Sequence, residues 1–237
     1  AYGNSPRQCL DIFPANSALS PVHIFIHGGY WQALSKDSFS FVAETFNRAG
    51  ECAVIVNYDL CPQVTVADII SQLKRAVAWV IEHIHRYGGD AGRIQVSGHS
   101  AGGHLLAGLL TSDWSALSLA GKPLQHPPFL RLNAVSGLFR LDPLIATSIN
   151  RALGLDGATA ARCSPFNQRL WQPLASCELN LLVGEQESDE YKRQSSDLKQ
   201  AWQAELTVDY QMVPGAHHFS IVDAFVNDYY HSLAVAR

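Results

Sequence analysis

The chain holds one methionine in 237 residues, and only 16% of its residues are charged. With 47% apolar residues it is too poor in charge to remain a solvated, disordered segment, so it must bury a core. Its 17 Lys and Arg residues are scattered among 21 Asp and Glu, for a net charge of −4. That excludes the clustered basic footprint of a nucleic-acid binder. No apolar run approaches the length of a membrane span; the longest lie near 76–81 and 105–110. No basic-then-apolar leader opens the chain, so no signal peptide is read. The cysteines (Cys9, Cys52, Cys61, Cys163 and Cys177) are odd in number and irregularly spaced, with no C-x-x-C pair. This excludes a disulfide framework and a zinc ribbon, and reads as reduced, mostly buried thiols in a cytoplasmic protein.

What is present is an alternation of strand and helix signals. Apolar strands are predicted at 22–26, 52–57, 94–97, 130–136, 179–183 and 208–213, after a short apolar segment at 9–13. Helices are predicted at 36–49 behind a Ser35 cap, 66–87 behind Thr65, 101–111, 190–205 and 220–231. The stretch 138–177 reads as irregular with short helical pieces. Such alternation predicts one α/β domain over 1–237, with a mostly parallel sheet, helices on both faces and no large lid domain. Functional loops then belong at the carboxyl ends of the strands.

Gly98-His99-Ser100-Ala101-Gly102 falls between the strand 94–97 and the helix 101–111. It reads as a nucleophile elbow, with the serine strained and exposed at the helix N-terminus where an oxyanion would form. A Gly-rich turn of no catalytic meaning is the plain alternative. The positions of strand and helix on the correct sides favour the elbow.

A serine needs an adjacent base. After the last strand come His217 and His218, of which His218 is preferred because it begins the turn into the final helix beside Phe219. After the strand 179–183 come four carboxylates. Glu190 suits a helix dipole, Asp189 suits a helix cap, and Glu185 also competes, while Glu187 lies in the loop free to point at a histidine. The oxyanion hole is expected from the N–H of Ala101 and from His27-Gly28-Gly29, with Gly28 and Gly29 lining it and His27 structural. Tyr30 and Trp31 are expected either in the core or as walls of the substrate pocket. The reading requires no metal and no cofactor. The expected partner is a small-molecule substrate, with no nucleic acid and no membrane, and a homodimer is left open.

The segments HGGYW, Asn57-Tyr58-Asp59-Leu60-Cys61-Pro62, GHSAGGHL, Glu187-Ser188-Asp189-Glu190-Tyr191-Lys192-Arg193-Gln194-Ser195 and His217-His218-Phe219 resemble kynurenine formamidases (arylformamidases) and their esterase-like bacterial relatives. The resemblance covers essentially the whole chain. It implies the α/β-hydrolase fold and a triad of Ser100, Glu187 and His218, although eukaryotic members carry aspartate where Glu187 stands. It also implies hydrolysis of N-formyl aromatic amides of the N-formylkynurenine type in tryptophan catabolism, with a short-acyl carboxylesterase as the alternative. A hydrolase-fold binding protein without turnover is the third reading. Family members often carry a segment before the first strand that helps cover the pocket, whereas this sequence begins almost at that strand.

Overall fold

Alternating side chains divide each strand between two cores. The computed structural model describes residues 1–115, 118–119, 122–123, 129–171 and 177–235. Among them the strands are β1 (Leu10–Phe13), β2 (Ser20–Ile26), β3 (Cys52–Val56), β4 (Gly89–His99), β5 (Ser118–Leu119), β6 (Lys122–Pro123), β7 (Phe129–Val135), β8 (Glu178–Gly184) and β9 (Thr207–Val213). The helices are α1 (Val42–Arg48), α2 (Val66–His83), α3 (Ala101–Leu110), α4 (Asn150–Leu153), α5 (Gly157–Cys163), α6 (Asp189–Trp202) and α7 (Ser220–Val235). β5 and β6 form a small hairpin, and the other seven strands form one sheet in the order β1-β3-β2-β4-β7-β8-β9. β1 pairs antiparallel with β3, and every other pairing in that sheet is parallel.

Val22, Ile24 and Ile26 of β2, with Cys52, Val54 and Val56 of β3, join a core closed by α2, α3 and α6. The intervening Phe25, Ala53 and Ile55 face the other way, against α1 and α7. Each fully buried large side chain among them contributes about 1.5–3 kcal/mol. All ten residues of α3 are buried, because α3 packs on β2, β4 and β7 and also against α2. This is the doubly covered, mostly parallel sheet that the alternation predicts.

The departures are local. The expected helix 36–49 is split into a 3₁₀ turn, Lys36–Phe39, and α1. Ser35 does cap the turn, but the Lys36 N–H donates to Asn57 Oδ1 and Lys36 Nζ is tied to Asp11 and Asp37. Those bonds fasten the first turn to the sheet end. Thr65 and Asp68 form a capping box at α2, as expected, and the helix then tightens into a 3₁₀ turn ending at Gly88. β4 runs longer than 94–97, because Gly89 already pairs with Ser20 across a bulge. The stretch 138–177 holds α4 and α5 between two 3₁₀ turns, with 172–176 outside the described residues. No helix among the described residues is long and apolar enough to cross a membrane.

A polar row crosses the second face of the sheet. His23 stacks on Phe46, its Nδ1–H donates to Glu51 Oε2 at 2.9 Å, and its Nε2 accepts from Ser97 Oγ at 2.7 Å. Ser97 Oγ accepts from Asn133 Nδ2, and Asn133 Oδ1 accepts from Asn180 Nδ2. Buried polar groups persist only when hydrogen-bonded, and the row is continuous.

Candidate active site

Ser100 caps α3 with φ 56° and ψ −118°, a conformation that L residues rarely adopt. The crowding around it accounts for the flanking glycines. A Cβ on Gly98 would lie 2.3 Å from Gly102 O, and one on Gly102 would lie 2.1 Å from Ile26 O. The Ser100 N–H donates to Val135 O at 2.8 Å, which locks the turn onto β7. Strain of this kind persists only where the surroundings over-determine it.

Ser100 Oγ lies 3.0 Å from His218 Nε2, and His218 Nδ1 lies 2.7 Å from Glu187 Oε2. The carboxylate fixes the tautomer with its proton on Nδ1, leaving Nε2 to accept from the serine. Glu187 Oε1 accepts from Ser136 Oγ and from the Gly184 N–H. Burial alone would raise the Glu187 carboxyl, but the bonds from His218, Ser136 and Gly184 outweigh it and hold the group below the usual carboxylate range.

The competing side chains have other places. Glu185 Oε2 accepts from the Gly215 N–H. Asp189 is fully solvated and reaches only Lys192, at 3.9 Å. Glu190 is bonded to Arg193 and Gln194. His217 Nδ1 accepts from the N–H groups of Phe219 and Ser220, capping α7. Phe219 meets the His218 ring edge to face, yet it is 75% exposed and shields only one side.

The loop after β2 holds Gly28 and Gly29, the residues expected to supply oxyanion donors. Gly28 touches the Ser100 turn: a Cβ there would lie 2.8 Å from His99 O and 3.0 Å from Ser100 Cβ. Among the described residues the N–H groups of Gly28, Gly29 and Ala101 have no hydrogen-bond partner. His27 is buried and structural, as expected. Its Nδ1–H donates to Gly28 O at 2.7 Å, and burial lowers its pKa to about 4. Because a peptide plane is rigid, fixing the Gly28 carbonyl aims the Gly29 N–H the opposite way.

Tyr30 stays half-buried beside the site, but the placement of Trp31 at the substrate is corrected. Trp31 is 0% exposed and its Nε1–H donates to His104 Nδ1. Tyr30 and Trp31 both adopt positive φ, 48° and 58°, which turns the chain back and drives the indole into the core.

Three residues at the site escaped sequence reasoning. Ser136 stands at the carboxyl end of β7, a position that fold logic marks as functional. His99 is the variable residue of the elbow; its Nε2–H donates to His218 O. Tyr191, in the first turn of α6, lies with its ring 4.7 Å from that of His218.

The BD-FAE family model matches residues 10–126. A kynurenine formamidase of Danio rerio is 34% identical over 234 residues, 97% of this chain and 76% of that protein. One from Salmo salar is 34% identical over 236 residues, 97% of this chain and 77% of that protein. The chain belongs to the kynurenine formamidase family. A crystal structure described as a thioesterase, from Silicibacter sp. TM1040, superposes with a TM-score of 0.83 at 29% identity, covering 99% of this chain and 82% of that one. Esterase B of Lactobacillus rhamnosis shares the fold at TM-score 0.76 and 18% identity, over 99% of this chain and 84% of that one. This kynurenine formamidase relative is therefore a hydrolase of the α/β-hydrolase fold.

Proposed function

We propose that the chain hydrolyses N-formyl aromatic amides through a formyl-enzyme on Ser100. The observation that carries the reading is the single hydrogen-bonded line Ser100–His218–Glu187, with His218 between a hydroxyl and a buried carboxylate. Ser100 Oγ adds to the formyl carbon as His218 Nε2 takes its proton, and Glu187 stabilises the resulting imidazolium. The oxyanion is met by the N–H groups at Gly28, Gly29 and Ala101. His218 passes the proton to the leaving nitrogen as the C–N bond breaks. A water molecule, deprotonated by His218, then releases formate and restores Ser100. The family relatives, named as kynurenine formamidases, support a formamide substrate. The half-buried Tyr30 ring beside the oxyanion loop favours a short acyl group and an aromatic leaving group.

Steady-state kinetics on N-formylkynurenine and on p-nitrophenyl esters of increasing acyl length test this. Formamide turnover is expected, with ester kcat/KM falling as the acyl chain lengthens. Ester rates that rise with chain length, without formamide turnover, would make the protein a carboxylesterase.

A further inference from the structure

Two phenols outside the Ser100–His218–Glu187 line meet beside it. Tyr30 Oη and Tyr191 Oη lie 2.9 Å apart, joining the loop after β2 to the first turn of α6. The Tyr191 ring lies 4.7 Å from the His218 ring, whose Nε2 is 3.0 Å from Ser100 Oγ. Burial, with Tyr30 adding to it, pushes the Tyr191 phenol well above its ordinary pKa, so the group stays neutral. A neutral phenol has one proton and two lone pairs. With the proton of Tyr191 donated to Tyr30 Oη, its lone pairs are left to accept a hydrogen bond beside His218.

An amide sets a problem that an ester does not. When Ser100 Oγ adds to the formyl carbon, the lone pair developing on the scissile nitrogen forms on the side away from the attacking oxygen. The proton to be delivered is on His218 Nε2, on the serine side. The nitrogen must therefore invert, which swings its N–H to a new direction. An acceptor waiting there stabilises the inverted intermediate and does nothing for an ester, which has no N–H.

We propose that Tyr191 Oη, oriented by Tyr30, accepts a hydrogen bond from the scissile N–H of a secondary formamide in the tetrahedral intermediate, and so sets the preference for amides over esters. This rests on the formamide reading above. Tyr191 forms no covalent bond. His218 Nε2 gives its proton to the inverted nitrogen, the C–N bond breaks with its electron pair going to nitrogen, the arylamine leaves, and the formyl group stays on Ser100 Oγ.

4-Nitroformanilide and p-nitrophenyl formate share the acyl group and the nitrophenyl ring and differ in the N–H. In Tyr191→Phe, kcat/KM for the anilide relative to the ester should fall about tenfold, the size of one hydrogen bond made only in the intermediate. The fall should come from kcat rather than KM. Tyr30→Phe removes the group that takes the Tyr191 proton, and should lower the same ratio. Ester turnover in each variant reports that the protein is folded; if Tyr191→Phe loses it, the Tyr30→Phe ratio decides. An unchanged anilide-to-ester ratio overturns the proposal and leaves the formamide reading in place. Wild-type protein that turns over the formate ester but no formanilide overturns both.

Discussion

His99, the residue before Ser100, fastens the His218 backbone: its Nε2–H donates to the carbonyl of His218 at 2.7 Å. The two rings lie 4.8 Å apart. Burial, reinforced by the nearness of His218, lowers the His99 pKa to about 4, so the ring is neutral and its proton stays on Nε2. Its buried Nδ1 has no hydrogen-bond partner among the described residues. His99→Phe keeps a ring and removes the donor. It should lower kcat about tenfold with KM little changed, the effect of one lost buried hydrogen bond. Steady-state kinetics on p-nitrophenyl acetate measure this, and an unchanged kcat would show that the loop alone holds the base.

Glu187→Gln should cost far more than Asp189→Asn. An amide in place of Glu187 must point its carbonyl at the Gly184 N–H and its NH₂ at His218, which puts the imidazole in the wrong tautomer. The expected loss in kcat is about 10³–10⁴. Asp189 is fully solvated, so its amide variant should stay within about twofold, as surface changes do. Equal losses in the two variants would reassign the acid.

Acid should unfold the protein through its histidines. Burial lowers His27, His99 and His104 from 6.5 to about 4 each. Above pH 6.5 both folded and unfolded forms are neutral, and the native state keeps its full stability. As pH falls from 6.5 towards 4 the unfolded chain binds protons that the folded chain refuses, and stability is lost. Three such groups give a slope of up to about 4 kcal/mol per pH unit, against about 1.4 for one. The depressed Glu187 carboxyl acts in the same sense further down. Urea unfolding at a series of pH values between 7 and 4 measures the slope; a flat profile would mean that these rings are protonated in the native state.

Two glycine substitutions should act oppositely. At Gly102 a Cβ would lie 2.1 Å from Ile26 O and 2.8 Å from His27 O, so Gly102→Ala must push α3 off the sheet. It should destabilise by about 3 kcal/mol or more and abolish turnover. At Gly157, in the first turn of α5, an added Cβ meets nothing within 4 Å, and alanine should stabilise by about 0.5–1 kcal/mol. Thermal melts of the two variants compare them directly.

The parts legible in sequence were those written in local chemistry. Ser100 could be read because glycines flank it and a strand and a helix bracket it. The helix caps at Ser35 and Thr65 could be read from residue type and spacing. Glu187 could be preferred over its neighbours only by its place in a loop; what separates them in space is Ser136 and the Gly184 N–H, one of which lies 51 residues away. Tyr191 could not be singled out, because its partner Tyr30 is 161 residues distant. Trp31 was ambiguous because two consecutive positive φ angles, invisible in composition, decide which way the indole turns.

The polar row under the sheet has a consequence for how such sites are recognised. Ser97, His23 and Glu51 repeat the atom order of Ser100, His218 and Glu187: hydroxyl to Nε2 at 2.7 Å, Nδ1 to carboxylate at 2.9 Å. Yet Ser97 and His23 are both 0% exposed and sit within β4 and β2. A template built from three side chains would accept both trios. On the proposed reading only the trio at the strained turn, next to unpaired backbone N–H groups and with a His218 side chain that is 21% exposed, takes a fluorophosphonate, so covalent labelling should saturate at a single adduct per chain. The protein thus carries its own control, a second trio with the same atom order as the proposed catalytic one but set in regular backbone with a fully buried histidine.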